Sequence, residues 1–249
     1  MKKLKITMQV ILCLLLAIVL FQIQEQDVYA SDLQDYKVVH VLDGKAVEEN
    51  DVYNMKSETL NLKLLDNNGK APDMDEVDIS WKSSVGEVVS VKEVETGGAL
   101  EGSAVFTRRG PGYSKITVTV NKKDTDTKID SIEFYIKIDF SIDLTDLTLI
   151  DNKYLELDKD NTYQIKLKYL DDKTVDLSSS NMDWISISPQ VATVDSNTYK
   201  GLVTALKGGN TQVLITAYGF KDVAGANDIV KEFNVVVKPS FTVKVLDKT

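Results

Sequence analysis

The segment Glu133-Phe134-Tyr135-Ile136-Lys137-Ile138-Asp139-Phe140-Ser141-Ile142 returns 99 residues later as Glu232-Phe233-Asn234-Val235-Val236-Val237-Lys238-Pro239-Ser240-Phe241. A pattern that recurs at a fixed offset marks a repeated structural unit. Trp81 and Trp184 lie 103 residues apart, and the glycine turns Gly110-Pro111-Gly112 and Gly208-Gly209 fall at nearly the same phase. The chain therefore reads as two copies of one unit of roughly 100 residues, a usual domain size.

Period-2 alternation of apolar and polar residues makes each copy a set of half-buried strands. In the first copy Leu60, Leu62 and Leu64 alternate with polar residues, followed by the turn residues Asp66-Asn67-Asn68-Gly69. Candidate inward positions follow at Trp81, at Val89 and Val91, at Ala104 and Phe106, at Ile116, Val118 and Val120, and at Phe134, Ile136 and Ile138. The second copy supplies Ile165, Leu167 and Tyr169, then Trp184, Val191, Val194, Leu202, Val213 and Ile215, and finally Phe233, Val235 and Val237. No segment after residue 30 sustains a helical period over three turns. About seven short strands per copy, with turns every 8–12 residues, predict an all-β chain of two tandem antiparallel β-sandwiches with Greek-key connections, each tryptophan filling the space between its sheets.

Residues 1–30 are of another kind. Three lysines in the first five residues precede an apolar run from Val10 to Phe21, and Val28-Tyr29-Ala30 offers the small or apolar residues of a cleavage site. This is the pattern of a secretory signal peptide, shorter than the ~20 apolar residues a membrane span needs. Its removal would leave the mature chain starting at Ser31 and take the net charge from −9 to −10, since Lys2, Lys3 and Lys5 go with Glu25 and Asp27. The one cysteine, Cys13, lies inside the apolar run, so no disulfide framework is expected beyond it. An acidic chain of this kind repels nucleic acid and anionic lipid, and no membrane insertion of the mature chain is expected.

The predicted organisation is thus a signal peptide at 1–30, a first sandwich at 36–139, a second at 140–239, and at 240–249 a stub. By the same offset the stub matches the opening of the second copy. It reads as the first strand of a third repeat or as a terminal strand that docks elsewhere. The join near residue 140 is short and itself alternating, which favours a stiff tandem over two loosely tethered beads.

Candidate chemistry is sparse. The single histidine, His40, sits in the alternating segment Tyr36–Val41 with no nucleophile motif to serve, and reads as a solvent-facing strand residue. One histidine and no mature cysteine argue against zinc. Calcium is the metal whose chemistry fits, with oxygen donors in the runs Asp66-Asn67-Asn68, Asp73 to Asp78, Asp158 with Asp160, and Asp171-Asp172, yet none follows a calcium-loop pattern. These acids read first as turn residues, and no cofactor is assigned. Carboxylate pairs for glycoside hydrolysis cannot be chosen among 38 acids, so no catalytic residue is assigned and the chain is expected not to be an enzyme. Tyr154, Tyr163, Tyr169 and Tyr199 cluster in the second copy, as strand packing or as a sugar platform. The pair Arg108-Arg109, the chain's two arginines, reads as an ordinary approach to a turn or as a small anion or partner contact.

The second copy carries Trp184, Val191-Ala192-Thr193-Val194-Asp195, Gly201-Leu202-Val203-Thr204-Ala205 and Gly208-Gly209. This series resembles the bacterial immunoglobulin-like domain, group 2. The first copy keeps its tryptophan and Glu87-Val88-Val89-Ser90-Val91 but replaces the Gly-x-Val-Thr-Ala element with Gly102-Ser103-Ala104-Val105-Phe106, and so resembles a diverged relative. The resemblance implies an extracellular or cell-surface bacterial location and a spacer or adhesion role, without a shared active site. The partners it implies are host or cell-wall proteins or glycans. The rival readings are a carbohydrate-binding or accessory region of a secreted polysaccharide-degrading enzyme, and an assembly subunit that pairs its last strand with another molecule.

Overall fold

A computed structural model describes residues 36–94, 102–145, 149–150, 154–179, 182–220 and 223–240. The expected signal peptide, and the expected terminal strand from Phe241 onward, lie outside the described residues.

The first half holds nine strands: β1 (Tyr36–His40), β2 (Ala46–Val47), β3 (Val52–Asn54), β4 (Thr59–Asp66), β5 (Val77–Ser83), β6 (Val89–Glu93), β7 (Ser103–Arg108), β8 (Gly112–Lys122) and β9 (Lys128–Ile138). They form one sheet in the order β2-β1-β4-β7-β6 and another in the order β3-β9-β8-β5. Leaving aside the two short crossing strands β2 and β3, the first, second, fifth and fourth strands make one sheet and the third, sixth and seventh the other. That is the strand order of the immunoglobulin sandwich.

The second half repeats it with β10 (Phe140–Asp143), β11 (Leu149–Ile150), β12 (Tyr154–Leu157), β13 (Thr162–Gln164), β14 (Lys166–Tyr169), β15 (Met182–Ser186), β16 (Ala192–Val194), β17 (Leu202–Ala205), β18 (Gly209–Ala217) and β19 (Ile229–Val237). One sheet runs β11-β12-β19-β18-β15, while the facing layer is split into β10-β14 and β13-β17-β16. Among the described residues every hydrogen-bonded strand pair joins two strands of the same half.

The expectation of wholly antiparallel sheets needs one refinement. β3 pairs with β9, and β12 with β19, in parallel register. Alternation tells which side of a strand is buried and not which way its neighbour runs. The crossing strand enters the second sheet at its free edge, beside a last strand that runs in the same direction.

Large side chains close each sandwich. Trp81 on β5 meets Phe106 on β7 edge-on at 5.8 Å between ring centroids, and Phe106 meets Phe134 on β9 at 6.5 Å. In the second half Tyr163 on β13 stacks on Phe233 of β19 at 6.5 Å. Trp81, Phe134, Ile136, Ile138, Trp184, Val191, Phe233, Val235 and Val237 are all buried. Val194 and Leu202 are half-buried, and on β17 the fully buried positions are Val203 and Ala205. Leu202-Val203-Thr204-Ala205 has apolar residues on both parities, so alternation alone does not select the inward one.

A pair of hydroxyl clasps shows how closely the halves correspond. The Ser83 hydroxyl donates to the Val89 carbonyl at 2.6 Å and bonds to the Ser114 hydroxyl at 2.8 Å, and the Val85 amide donates to Ser114 Oγ at 3.0 Å. In the second half Ser186 donates to the Ala192 carbonyl at 2.6 Å and bonds to Thr211 Oγ1 at 3.1 Å, which accepts from the Ser188 amide at 2.9 Å. Both clasps tie the edge strand β5 or β15 to the opposite sheet at its lower end.

Candidate functional site: the junction and its adjoining groove

The strand β9 ends at Ile138 and β10 begins at Phe140, so the join is the single residue Asp139. Its carboxylate accepts from the Phe140 amide at 2.8 Å and pairs with Lys137 at 3.4 Å and Lys231 at 3.3 Å. Burial raises the pKa of this acid, but the amide and the two lysines outweigh it and leave the carboxyl below its ordinary range. Phe140 is fully buried, with Lys231 Nζ 5.6 Å above its ring.

Two loops of the second half grip the first half beside this join. The hairpin after β14 presents Asp171, whose two oxygens accept from Arg108 Nη2 at 3.1 and 3.0 Å. Arg108 leaves only 4% of its side chain exposed, and its guanidinium carbon lies 3.7 Å over the Tyr169 ring centre. Its Nη1 donates to the Lys56 carbonyl at 3.4 Å, and the Tyr169 hydroxyl donates to the Arg109 carbonyl at 3.2 Å. Lys173 pairs with Glu58 at the rim. A buried guanidinium needs a partner charge, which Asp171 supplies, and both of its terminal nitrogens find acceptors here. The hydrogen bonds from Arg108 hold the Asp171 carboxyl below the usual range, while burial pushes the Tyr169 hydroxyl up.

The loop between β18 and β19 makes the second grip. Tyr113 donates its amide to the Tyr218 carbonyl and its hydroxyl to the Gly225 carbonyl, each at 3.3 Å, and Phe220 packs against Tyr135 at 5.2 Å. Gly112 begins β8 at φ 125°, and a Cβ there would lie 3.3 Å from the Tyr218 carbonyl oxygen. Glycine lets the two backbones approach at this point. The two loops that in a sandwich of this type stand at one end, free to hold ligands, are here committed to the neighbouring half.

A groove of about 390 Å³ opens next to the first grip, between residues 164–167, 174–178 and 197–200. Its walls are fixed from within: the Gln164 amide nitrogen donates to the Lys200 carbonyl at 2.8 Å, and the Asp195 carboxylate accepts the amides of Asn197, Thr198 and Tyr199.

The candidates read from sequence fall as follows. Arg108 is the hub of the junction, and Arg109 bonds to Ser90 Oγ at 3.0 Å. His40 is paired with Asp43 at 3.0 Å and stacked on Tyr53, half-buried on its strand. Within the acidic runs Asp66 caps the amides of Asn68 and Lys70 and Asp73 that of Asp75, whereas Asp78 pairs with Lys123, Asp172 with Lys168 and Asp171 with Arg108. Among the described residues no three His, Cys, Asp or Glu side chains are grouped to hold a metal ion. The four tyrosines do not form one platform; Tyr163 and Tyr169 pack inward, and Tyr199 stands 64% exposed on the groove's rim. Among the described residues no helix is long and apolar enough to cross a membrane.

The two halves differ on one outer face. Ile185 and Ile187 on and after β15 are 52% and 57% exposed, where the equivalent positions beside β8 are Lys82 and Ser84. Val230 likewise stands where the first half has Ser131.

No protein-family model and no curated protein matches this chain. Among solved structures, the C-terminal 282-residue fragment of intimin, in complex with the intimin-binding domain of the translocated intimin receptor, is 16% identical over 73% of this chain and 57% of its own, with a TM-score of 0.25. Invasin, a bacterial integrin-binding protein, is 12% identical over 82% of this chain and 39% of its own, with a TM-score of 0.31. The Yersinia pseudotuberculosis adhesin InvE is 15% identical over 81% and 58%, with a TM-score of 0.35. The chain thus spans between about two-fifths and three-fifths of these structures.

Proposed function

We propose that the chain is a non-catalytic, secreted or cell-surface pair of group 2 immunoglobulin-like modules of a bacterial surface protein, acting as a rigid spacer that holds an adhesive or wall-bound part at a set distance. The observation that carries this reading is the junction. A one-residue join flanked by a buried arginine clamp and a second loop contact removes the freedom that a linker of several residues would leave. The leader-like first 30 residues and the lack of cysteine after them support export without disulfides.

The test is a distance measurement between spin labels placed at Lys82→Cys and Ile185→Cys in a Cys13→Ser background. A single narrow distribution is expected, broadened when two glycines are inserted after Asp139. A broad distribution in the unmodified chain would sink the rigid-spacer reading.

A further inference from the structure

We propose that the free edge of β15 is a self-association site, at which a second copy of this chain adds its own β15 in antiparallel register. The two halves differ at this edge, and the difference carries the inference.

β15 is the last strand of its sheet, as β5 is of its own. In an antiparallel ladder alternate residues turn their amide and carbonyl to the neighbour, and those between turn them away. Ile187 donates its amide to the Gln212 carbonyl at 2.9 Å, which fixes the phase. Asp183 and Ile185 therefore bond towards β18, while Met182, Trp184 and Ser186 present their backbone groups to the open side. The first half has the same phase, with Ser84 donating to the Lys115 carbonyl at 2.9 Å and Trp81 facing outward.

In the first half that outward side is closed. Glu93 on β6 reaches across and accepts the Trp81 amide at 2.7 Å, and Lys82 stands exposed beside it on β5. A side-chain cap and a lysine are devices by which a sheet edge refuses another strand. The second half has neither. Counting from the clasp residues Val89 and Ala192, the place of Glu93 falls to Ser196, beyond the end of β16 at Val194. Among the described residues the Trp184 amide meets no acceptor. The place of Lys82 is taken by Ile185, 52% exposed, with Ile187 after it at 57%.

Any extended chain could fill an open edge, but the residues of β15 make it its own complement. Two-fold pairing centred on Ile185 sets Trp184 of each copy against Ser186 of the other, and both pairs exchange two hydrogen bonds. Ile185 then meets its own counterpart at the close, non-bonded position, and with Leu214 beside each the apolar row runs unbroken across the join. The strand's one charge, Asp183, already accepts the Tyr218 hydroxyl. The same pairing about Lys82 would set two lysines directly opposite, which opposes association. The contact is isologous and closes at two copies. Its short ladder buries less than the roughly 1,200 Å² of a standard interface, so the dimer is of the weak, reversible kind.

The experiment is sedimentation equilibrium of the full chain in a Cys13→Ser background, between micromolar and near-millimolar protein. A reversible monomer–dimer equilibrium is expected. Ile185→Lys, which gives the second half the lysine of the first, should weaken dimerisation at least tenfold and melt with the parent. Ile185→Cys should form a disulfide-linked dimer under mild oxidation at least ten times faster than Ile187→Cys, since facing Cα atoms of a non-bonded pair lie about 4.5 Å apart, within disulfide reach. A monomer at every concentration, association undiminished by Ile185→Lys, or trapping no faster at 185 than at 187 would each overturn the proposal. Loss of association in a chain ending at Ser240 would also overturn it, by assigning the edge to the alternating segment from Phe241 onward.

Discussion

At Gly201 the backbone takes φ 81°, and a Cβ would lie 2.9 Å from Trp184 Cη2. Trp184 is 4% exposed and held between sheets, so its ring has no empty space to enter. Gly44 has a similar φ of 66° but nothing within 4 Å of its would-be Cβ. Gly44→Ala should therefore cost only the left-handed strain, about 1 kcal/mol. Gly201→Ala adds overpacking to that strain and should cost about 3 kcal/mol in urea unfolding. Equal costs would show that the glycine is required for conformation alone. The Gly-x-Val-Thr-Ala element was readable from the sequence as a signature, but its physical reason is a tryptophan 17 residues earlier in the chain.

At the scale of elements, alternation was a good guide because each sandwich buries one side of nearly every strand. It faltered where both parities are apolar, as on β17, and it was silent on the parallel crossing strands. The junction was the least legible part. Arg108 and Asp171 are 63 residues apart and belong to different halves, and neither carries a local pattern that names the other. A lone arginine pair before a turn was the available signal, and its destination became visible only in three dimensions. The clamp has a definite pH signature. The folded-state pKa of Asp171 is lowered by Arg108, so between that value and the unfolded value of about 3.9 the unfolded chain binds more protons. The stabilisation is complete at neutral pH and is lost as the pH falls through the lower, folded value. Asp171→Asn should lower the melting temperature at pH 7 and show a smaller further drop between pH 7 and pH 3 than the parent. An identical acid drop in the two proteins would show that other carboxylates dominate. The rim pair Glu58–Lys173 is more than half exposed on both sides and should contribute little.

For the whole molecule, the parallel pairing of β3 with β9 has a mechanical meaning. Tyr36 pairs with Asp66 at one end of the first sandwich, whereas Ile138 pairs with Gly112 at the other. The second half is laid out alike, from Phe140 beside Tyr169 to Val237 beside Gly209. Tension applied between the two chain ends thus runs along the strands, and the ladders β1–β4, β3–β9, β10–β14 and β12–β19 are sheared with many bonds loaded together. Peeling one bond at a time would require both pulled ends at the same end of a ladder. Pulled in a force spectrometer, the chain should give two sharp rupture events. Tyr53→Pro, which removes an amide from β3, should lower one event and spare the other. With Asp139 as the whole connection, almost no slack is taken up before the load arrives, so a tether built this way transmits a tug at once.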